Sequence, residues 1–537
     1  LTYHLLESLA TCKSCVIVAL LANEGVPGGL EQLVEMFEVL LTGVRPEHDE
    51  SILELVLETL QLCIGELHAM HQPLLDTVLI QLLPVTRKEN PTSYNLAGGL
   101  LKVTLAKVQT PISHLVSSML SGSRGGAIES ELKEHSLPLV YELHKVTPNM
   151  LTFILPEVAE QLKAEDIEVR SGACTLLGRL FASKYADYGK EKPNIWAAFL
   201  GRFIDADVGI RRTMVDAVTM ILLRKPELRK DLHAPMLLRL QDPDPNVRSA
   251  AVKGVIDIAN KDPTVLHKDL LQAMGLRIKD RKDIIRQFAC IGMSKAFKRH
   301  IGAGWLPPQE YAYGVGGKTE RLAAAKGKKT KANKDPIRLK APSAELMSKL
   351  GWIPAMVVKA MSLRADWELR SKVLHLLDEA IVPGELRDEA RAAVLAHLQH
   401  GMDLQARKGL RFILKDKRNV RSAVVRYLDA RDAFKAKKAG SSCGSENKSL
   451  EAELEARTAA VAALHPSTSP SGKQLALLRD LTRKQDKKIF RLLRIVCSPE
   501  SPHSIIAEAR AELLKKVGTS TGLGAYLKTL TSRYSTV

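Results

Sequence analysis

The chain has 537 residues, more than one compact core holds, so several domains or a repeat array are expected. Hydrophobic residues make up 45%, aromatic residues 4% and charged residues 26%, and 78 Lys and Arg against 60 Asp and Glu leave a net charge of +18, which points to an acidic partner without choosing among nucleic acid, inositol phosphate and acidic peptide. Seven scattered cysteines exclude a disulfide framework and favour a reducing compartment, and the longest apolar runs, such as Cys15–Ala22, are too short to span a bilayer.

Along the chain, the start at Leu1 falls inside a helical pattern with no signal peptide, and reads as a piece of something longer. "LLDTVLIQLLPVTRKENPTSYNLAGGLLKVTLAKV" reads as helix, loop, helix, and so does "SLPLVYELHKVTPNMLTFILPEVAEQL". Four central segments then share one motif: Asp166 before Arg170, Asp205 before Arg211, Asp242 before Arg248 and Asp280 before Arg286. The arginines step by 41 residues from Arg170 to Arg211, by 37 to Arg248 and by 38 to Arg286. A period of about 40 with two helices per unit is that of HEAT and armadillo repeats.

The best-formed unit shows why. Its first helix carries Leu228, Leu232, Met236, Leu237 and Leu240 at helical spacing. "DPDPN" stops it; Asp244 is placed to cap the next helix and Pro245 suits its first turn. Val247, Ala251, Val255 and Ile258 then share one face. One hairpin cannot bury such a face, whereas stacked hairpins can.

Downstream, "LGWIPAMVVKAMSLRADWELRSKVLHLLDEAIV" places Asp366 before Arg370, and "HGMDLQARKGLRFILKDKRNVRSAVVRYLDARDAF" repeats the step from Asp416 to Arg421 across a turn. No stretch has strand periodicity. Three segments break the pattern: a connector at Ser121–Ile128, a basic, low-complexity insertion at Gly302–Pro342, and a linker at Ala439–Asn447. The expected fold is an all-α, right-handed HEAT-repeat α-solenoid, curved or hooked, with its hinge near the insertion. Its blocks are residues 1–120, 129–301, 302–342 (the insertion), 343–438, 439–449 (the linker) and 450–537, with helix to about Val517 and a tail to Val537 that frays.

Several stretches resemble one family, the HEAT-repeat cohesin regulators named for precocious dissociation of sisters. The carriers are "PLLDTVLIQLLP" with "SYNLAGGLL", "KPNIWAAFLGRFIDADVGIR", "GWIPAMVVKAM" with "HLLDEAIVP", and "DKKIFRLLRIVCSPESP", in the family's order from about Leu5 to Val517. The lysine-rich insertion at 318–340 and "KDRKDIIR" depart from the family pattern. The resemblance implies a nuclear, chromatin-associated adaptor without enzymatic activity. It implies binding of the cohesin kleisin subunit and of Wapl- and sororin-type regulators, and in vertebrate members of inositol hexakisphosphate.

The ladder Arg170, Arg211, Arg248, Arg286 has two readings. One is a basic stripe on the concave face; the other, preferred because an Asp travels with each Arg, is a structural pair between repeats. Off the ladder, "RIKDRKDIIR" and "SKAFKRH" supply Arg277, Arg281, Lys282, Lys295 and Lys298, and "LKDKRNVR" supplies Lys417, Arg418 and Arg421. These are the candidate contacts for a polyanion or for the kleisin, since a polyanion needs cations converging from several helices; a solvated surface is the plain alternative. The segment Gly317–Lys340 holds nine Lys or Arg against two acids, suited to DNA backbone or to a solubilising linker. It lacks the aromatics a single-strand reader needs.

Three look-alikes are set aside. "AYGVGGKT" has Ala312 where a P-loop needs its first Gly, and no strand precedes it. "GTSTG" at Gly518–Gly522 lacks the strand-turn-helix of a nucleophile elbow. Cys12 and Cys15 have metal spacing without a second pair, and His68 and His71 read as ordinary side chains. The expected function is therefore adaptor binding. The kleisin lies along helices from about Arg277 to Arg431, and a Wapl- or sororin-type motif docks on the amino-terminal hairpins. The rivals are a karyopherin-type receptor, which calls for an acidic inner face, a phosphatase scaffold, which calls for near-uniform repeats, and a DNA-binding solenoid.

Overall fold

Aspartates set the repeat. Asp166, Asp207 and Asp244 each cap the helix that follows, Oδ1 accepting from the N–H of Glu168 (2.7 Å), of Ile210 (2.9 Å), and of Asn246 and Val247 (2.8 and 3.2 Å). Pro245 fills the first position after Asp244, where a helix has no use for an N–H. The computed structural model describes residues 29–43, 71–121, 134–302, 342–361, 367–382, 388–439, 444–464, 472–483, 486–518 and 521–532, with isolated positions between 54 and 64 and at 132. Every regular element among the described residues is helical, and none is a strand. The architecture is the all-α HEAT-type solenoid that the period requires. Contacts divide the chain into two compact units, Leu1–Arg239 and Leu240–Val537.

In the first unit, α1 (Gly29–Gly43), α2 (His71–Gln81), α3 (Pro84–Glu89) and α4 (Pro91–Ser121) lead into α5 (Ser136–Val146), α6 (Leu151–Gln161) and α7 (Ile167–Phe181). Then come α8 (Tyr188–Glu191), α9 (Pro193–Gly201), α10 (Val208–Arg224) and α11 (Arg229–Leu240). Leu143, Ile154, Leu177, Phe199 and Val218 are fully buried between these layers. Second helices of successive repeats touch closely: a Cβ on Gly178 of α7 would stand 2.6 Å from Ala217 Cβ of α10. Trp196 packs edge-on to Phe181 and its indole N–H donates to Asp231 at 2.9 Å, which accounts for the conspicuous "KPNIW".

The second unit opens with α12 (Pro245–Lys261), α13 (Lys268–Gly275) and α14 (Asp283–His300), followed by α15 (Ala344–Leu350), α16 (Ile353–Ala360), α17 (Trp367–Leu376) and α18 (Asp388–Gly401). Val247, Ala251, Val255 and Ile258 of α12 are all fully buried, the face the pattern predicted. The unit ends with α19 (Leu404–Ala439), α20 (Gly444–Ala463), α21 (Gly472–Arg483), α22 (Lys487–Cys497), α23 (His503–Val517) and α24 (Gly522–Ser532).

Three readings change here. No turn separates Asp416 from Arg421: α19 is one helix of 36 residues, and "LKDKRNVR" lacks the Asp-x-Asp that precedes Arg211 and Arg248 and the Pro245 that follows Asp244. The stretch read as a linker at 439–449 is helical from Gly444. The tail does not fray through 521–532: Tyr526, Leu527 and Leu530 of α24 are buried, and Tyr526 Oη donates to the Val461 carbonyl at 2.9 Å. The insertion residues 303–341 and its hinge, the connector residues 122–131, Asp366, Cys12, Cys15 and His68 lie outside the described residues.

Candidate basic interface

The arginine ladder closes turns. Nη1 of Arg170 donates to the carbonyls of Ala164 and Glu165 at 2.6 and 2.7 Å. Arg211 does the same to Asp205 and Ala206 (both 2.9 Å), Arg248 to Asp242 and Pro243 (2.8 and 3.0 Å), and Arg286 to Asp280 and Arg281 (2.7 and 3.2 Å). In Arg170 and Arg248 the rest of the guanidinium turns to the following repeat, whereas Arg286 Nη2 donates to Asp283 of its own helix. Arg170 Nε lies 3.4 Å from Asp205 Oδ2, and Arg248 forks onto Asp280. These arginines are occupied by backbone and carboxylate and hold little for a ligand.

The predicted cations fall into separate places. Arg277 pairs with Asp280 in its own turn at 3.4 Å. Arg281 and Lys282 are exposed just before α14, and Lys295 and Lys298 are exposed near its end. Lys282 and Lys298 thus stand about 24 Å apart along one axis, beyond the direct reach of one small polyanion. Leu276 and Ile284, 60% and 56% exposed, put apolar surface beside Arg277, Arg281 and Lys282.

Lys417 and Arg421 belong to a different group. Burial holds the Lys417 ammonium down at about 8; Arg421 and Arg391 add repulsion, and Asp378 works the other way. Arg391 is buried, donating to Asp378 Oδ1 (2.8 Å) and to the Val382 carbonyl (2.9 Å). His503, kept below the usual imidazole range by burial and by Arg391, completes the set with Nε2 4.0 Å from Asp378. Arg421 Nη2 donates to the Ser498 carbonyl at 3.1 Å, and Arg418 points to solvent on the exposed side of α19.

A third cluster escaped the sequence reading. Arg431 and Lys435 of α19 face Lys487, Arg491 and Arg494 of α22 across a cavity of about 590 Å³ that Leu428, Phe490 and Ile495 also line. The Arg431 guanidinium lies 3.3 Å from the Phe490 ring centroid. The signal was present in "DKKIFRLLRIVC": Lys487, Arg491 and Arg494 recur at helical spacing on the face opposite the buried Ile489, Leu493 and Val496.

One further constellation has the look of chemistry. His144 Nε2 is 2.5 Å from Ser183 Oγ and Nδ1 is 3.1 Å from Tyr188 Oη. His144 is fully buried and Ser183 nearly so, and burial with the nearby Lys145 charge lowers the imidazole to about 4. Tyr188 Oη also donates to the Pro148 carbonyl at 2.9 Å, so the network joins neighbouring hairpins rather than presenting a nucleophile. Gly518, at φ +83, ends α23, and Gly522 begins α24, which gives the "GTSTG" segment a helix-terminating role.

The whole chain, residues 1–537, matches the family model described as sister chromatid cohesion protein PDS5 protein. The curated sister chromatid cohesion protein PDS5 homolog A of Homo sapiens is 27% identical over 429 residues, 80% of this chain and 29% of that protein. The homolog B of Homo sapiens is 24% identical over 518 residues, 96% of this chain and 32% of that protein. The Danio rerio homolog A is 30% identical over 298 residues, 56% of this chain and 22% of its own length. The chain therefore spans about a third or less of these relatives. A solved structure described as "Structure of the Pds5-Scc1 complex and implications for cohesin function" shares the fold, with a TM-score of 0.71 at 16% identity over 99% of this chain and 74% of that one.

Proposed function

The chain belongs to the PDS5 family of sister chromatid cohesion proteins, and on that premise we propose that it is a non-enzymatic, nuclear, chromatin-associated adaptor of cohesin. Its main partner in this reading is the kleisin subunit, an extended acidic and apolar segment laid along the helices from about Arg277 to Arg431. Wapl- and sororin-type regulators bind the amino-terminal hairpins through a short linear motif. The observation that carries the proposal is the exposed pairing of Leu276 and Ile284 with Arg281 and Lys282 on a HEAT stack of this family. Apolar anchors supply affinity there, and surrounding cations supply orientation and association rate.

An inositol hexakisphosphate-type polyanion belongs to the Lys417, Arg421, Arg391 and His503 group in this reading. The cations of α14 are left to the kleisin. The lysines of 318–340 add non-specific contact with DNA, which predicts an affinity that falls steeply with salt. The direct test is capture of the kleisin segment by this chain at physiological salt, compared with the variant Arg281→Glu, Lys282→Glu. Binding by the parent and loss in the variant is the expected result; no capture by the parent rejects the proposal.

A further inference from the structure

The turn between α22 and α23 reads Ser498-Pro499-Glu500-Ser501-Pro502. Each serine precedes a proline, and both line the cavity of about 590 Å³ between α19 and α22. Pro499, Glu500 and Pro502 are exposed and the serines half-buried. The two hydroxyls differ. Ser498 Oγ accepts from the Glu500 N–H at 3.3 Å. Ser501 Oγ has no hydrogen-bond partner among the described residues. A residue before proline is pushed to extended backbone, the form a kinase cleft accepts.

The wall opposite is short of negative charge. Arg431, Lys435, Lys487, Arg491 and Arg494 line the cavity, and Asp432 is the acid among them. Asp432 is already shared: Oδ2 accepts from Arg494 Nη2 at 2.7 Å and Oδ1 from Arg431 Nη1 at 3.0 Å, while Asp429 takes Arg494 Nη1 at 3.0 Å. The Arg431 side chain is 5% exposed, and its buried Nε has no acceptor. Burial, followed by repulsion from Arg431 and Lys487, keeps Lys435 below the usual lysine range.

We propose that Ser501 is a phosphorylation site for a proline-directed protein kinase, and that the groove of Arg431, Lys435, Lys487 and Arg491 receives the phosphate. In the transfer, Ser501 Oγ forms a bond to the γ-phosphorus of ATP as the bond to the β-phosphate oxygen breaks. ADP leaves, and the hydroxyl proton passes to the kinase's catalytic base. The product carries about −1.5 to −2 charge at neutral pH and three acceptor oxygens. It stands one residue before the capping position of α23, a helix of 15 residues whose first N–H groups favour an anion. Phosphorylation thereby ties the turn to α19 and fills a groove that is otherwise open to external acidic groups.

The experiment treats the full chain with ATP and a proline-directed kinase, maps the phosphopeptides by mass spectrometry and follows thermal unfolding. Phosphate is expected on Ser501, retained in Ser498→Ala and lost in Ser501→Ala. The phosphorylated chain should melt about 2 °C higher at low salt, with the gain removed at high ionic strength. In Lys487→Ala, Arg491→Ala, two exposed positions whose truncation spares the core, phosphate is still incorporated but the gain disappears. Absence of phosphate on Ser501 overturns the proposal, as does a melting temperature that does not rise, or a rise that survives the double substitution.

Discussion

Arg248 grips Asp280 with two parallel bonds, Nε to Oδ2 at 2.9 Å and Nη2 to Oδ1 at 3.0 Å, across 32 residues of chain. Its remaining terminal nitrogen closes its own turn on Asp242 and Pro243. One guanidinium therefore fixes two successive turns, and Asp280 in turn caps the backbone N–H of Lys282 at 3.0 Å. Both partners are poorly exposed, 12% for Arg248 and 2% for Asp280. Asp280→Ala should destabilise the second unit by about 3 kcal/mol, because it leaves a buried cation without its partner. Asp280→Asn, which keeps the acceptor for Lys282, should lose less. Urea unfolding monitored by circular dichroism distinguishes the two.

The same carboxylate gives an acid limit. Burial acts to raise its pKa, but the bond from Arg248, the Lys282 N–H and the charges of Arg248 and Arg277 outweigh it and hold it below the usual carboxylate range. A depressed folded pKa means the unfolded chain binds protons first. The contribution is therefore complete above the unfolded carboxylate value of about 3.9 and is lost as pH falls through the folded value.

The repeat was legible because its parts are local. Asp166, Asp207 and Asp244 cap within single turns, and each arginine four residues into its helix closes its own turn with Nη1, so their period survives in the sequence. What was not legible depended on the absence of a signal or on contacts between distant elements. Asp416 and Arg421 imitate the ladder spacing, yet the chain runs on through them as α19, without the Asp-x-Asp that precedes Arg211 and Arg248. Arg431 and Phe490 are far apart in sequence, and only packing of α19 against α22 makes them one groove. Lys417 likewise sits among Arg421, Asp378 and Arg391, partners its sequence neighbours do not announce.

His144 should make the first unit sensitive to mild acid. Its imidazole is buried and lowered to about 4, so the folded state resists a proton that the unfolded chain accepts near 6.5. Stability from this group is complete above about 6.5 and declines toward pH 4, by about 3 kcal/mol in all. His144→Phe keeps Ser183 engaged with the Tyr185 N–H and Tyr188 with the Pro148 carbonyl. The difference between parent and variant in urea midpoint should shrink steadily from pH 7 to pH 4.5. A constant difference would mean that His144 does not titrate in this range.

Gly178 tests the helix spacing. A methyl there would meet Ala217 Cβ at 2.6 Å, and the Ala217 backbone behind it leaves no flexible atom to yield. In a solvent-facing helix Gly→Ala stabilises by up to about 1 kcal/mol. Here overpacking should reverse the sign, with a net loss of about 1–3 kcal/mol for Gly178→Ala. Adding Ala217→Gly removes the offending methyl and should restore part of the loss, a coupling that a double-mutant cycle in urea reads directly.

If a polyanion binds the Lys417 group as proposed, its affinity should depend on pH. The unliganded ammonium titrates at about 8 because burial, reinforced by Arg421 and Arg391, disfavours its charge. A bound polyanion reverses that balance and returns the group toward the ordinary lysine value of about 10.4, so binding takes up a proton at alkaline pH. Affinity for inositol hexakisphosphate should then fall by about tenfold between pH 7 and pH 9. The ligand itself becomes more negative over that interval and works against the trend. Lys417→Arg isolates the protein's share: arginine stays charged throughout, so the variant retains binding and loses the decline. Calorimetric titration of both proteins at the two pH values supplies the comparison, and equal pH profiles for parent and variant would place the polyanion away from Lys417.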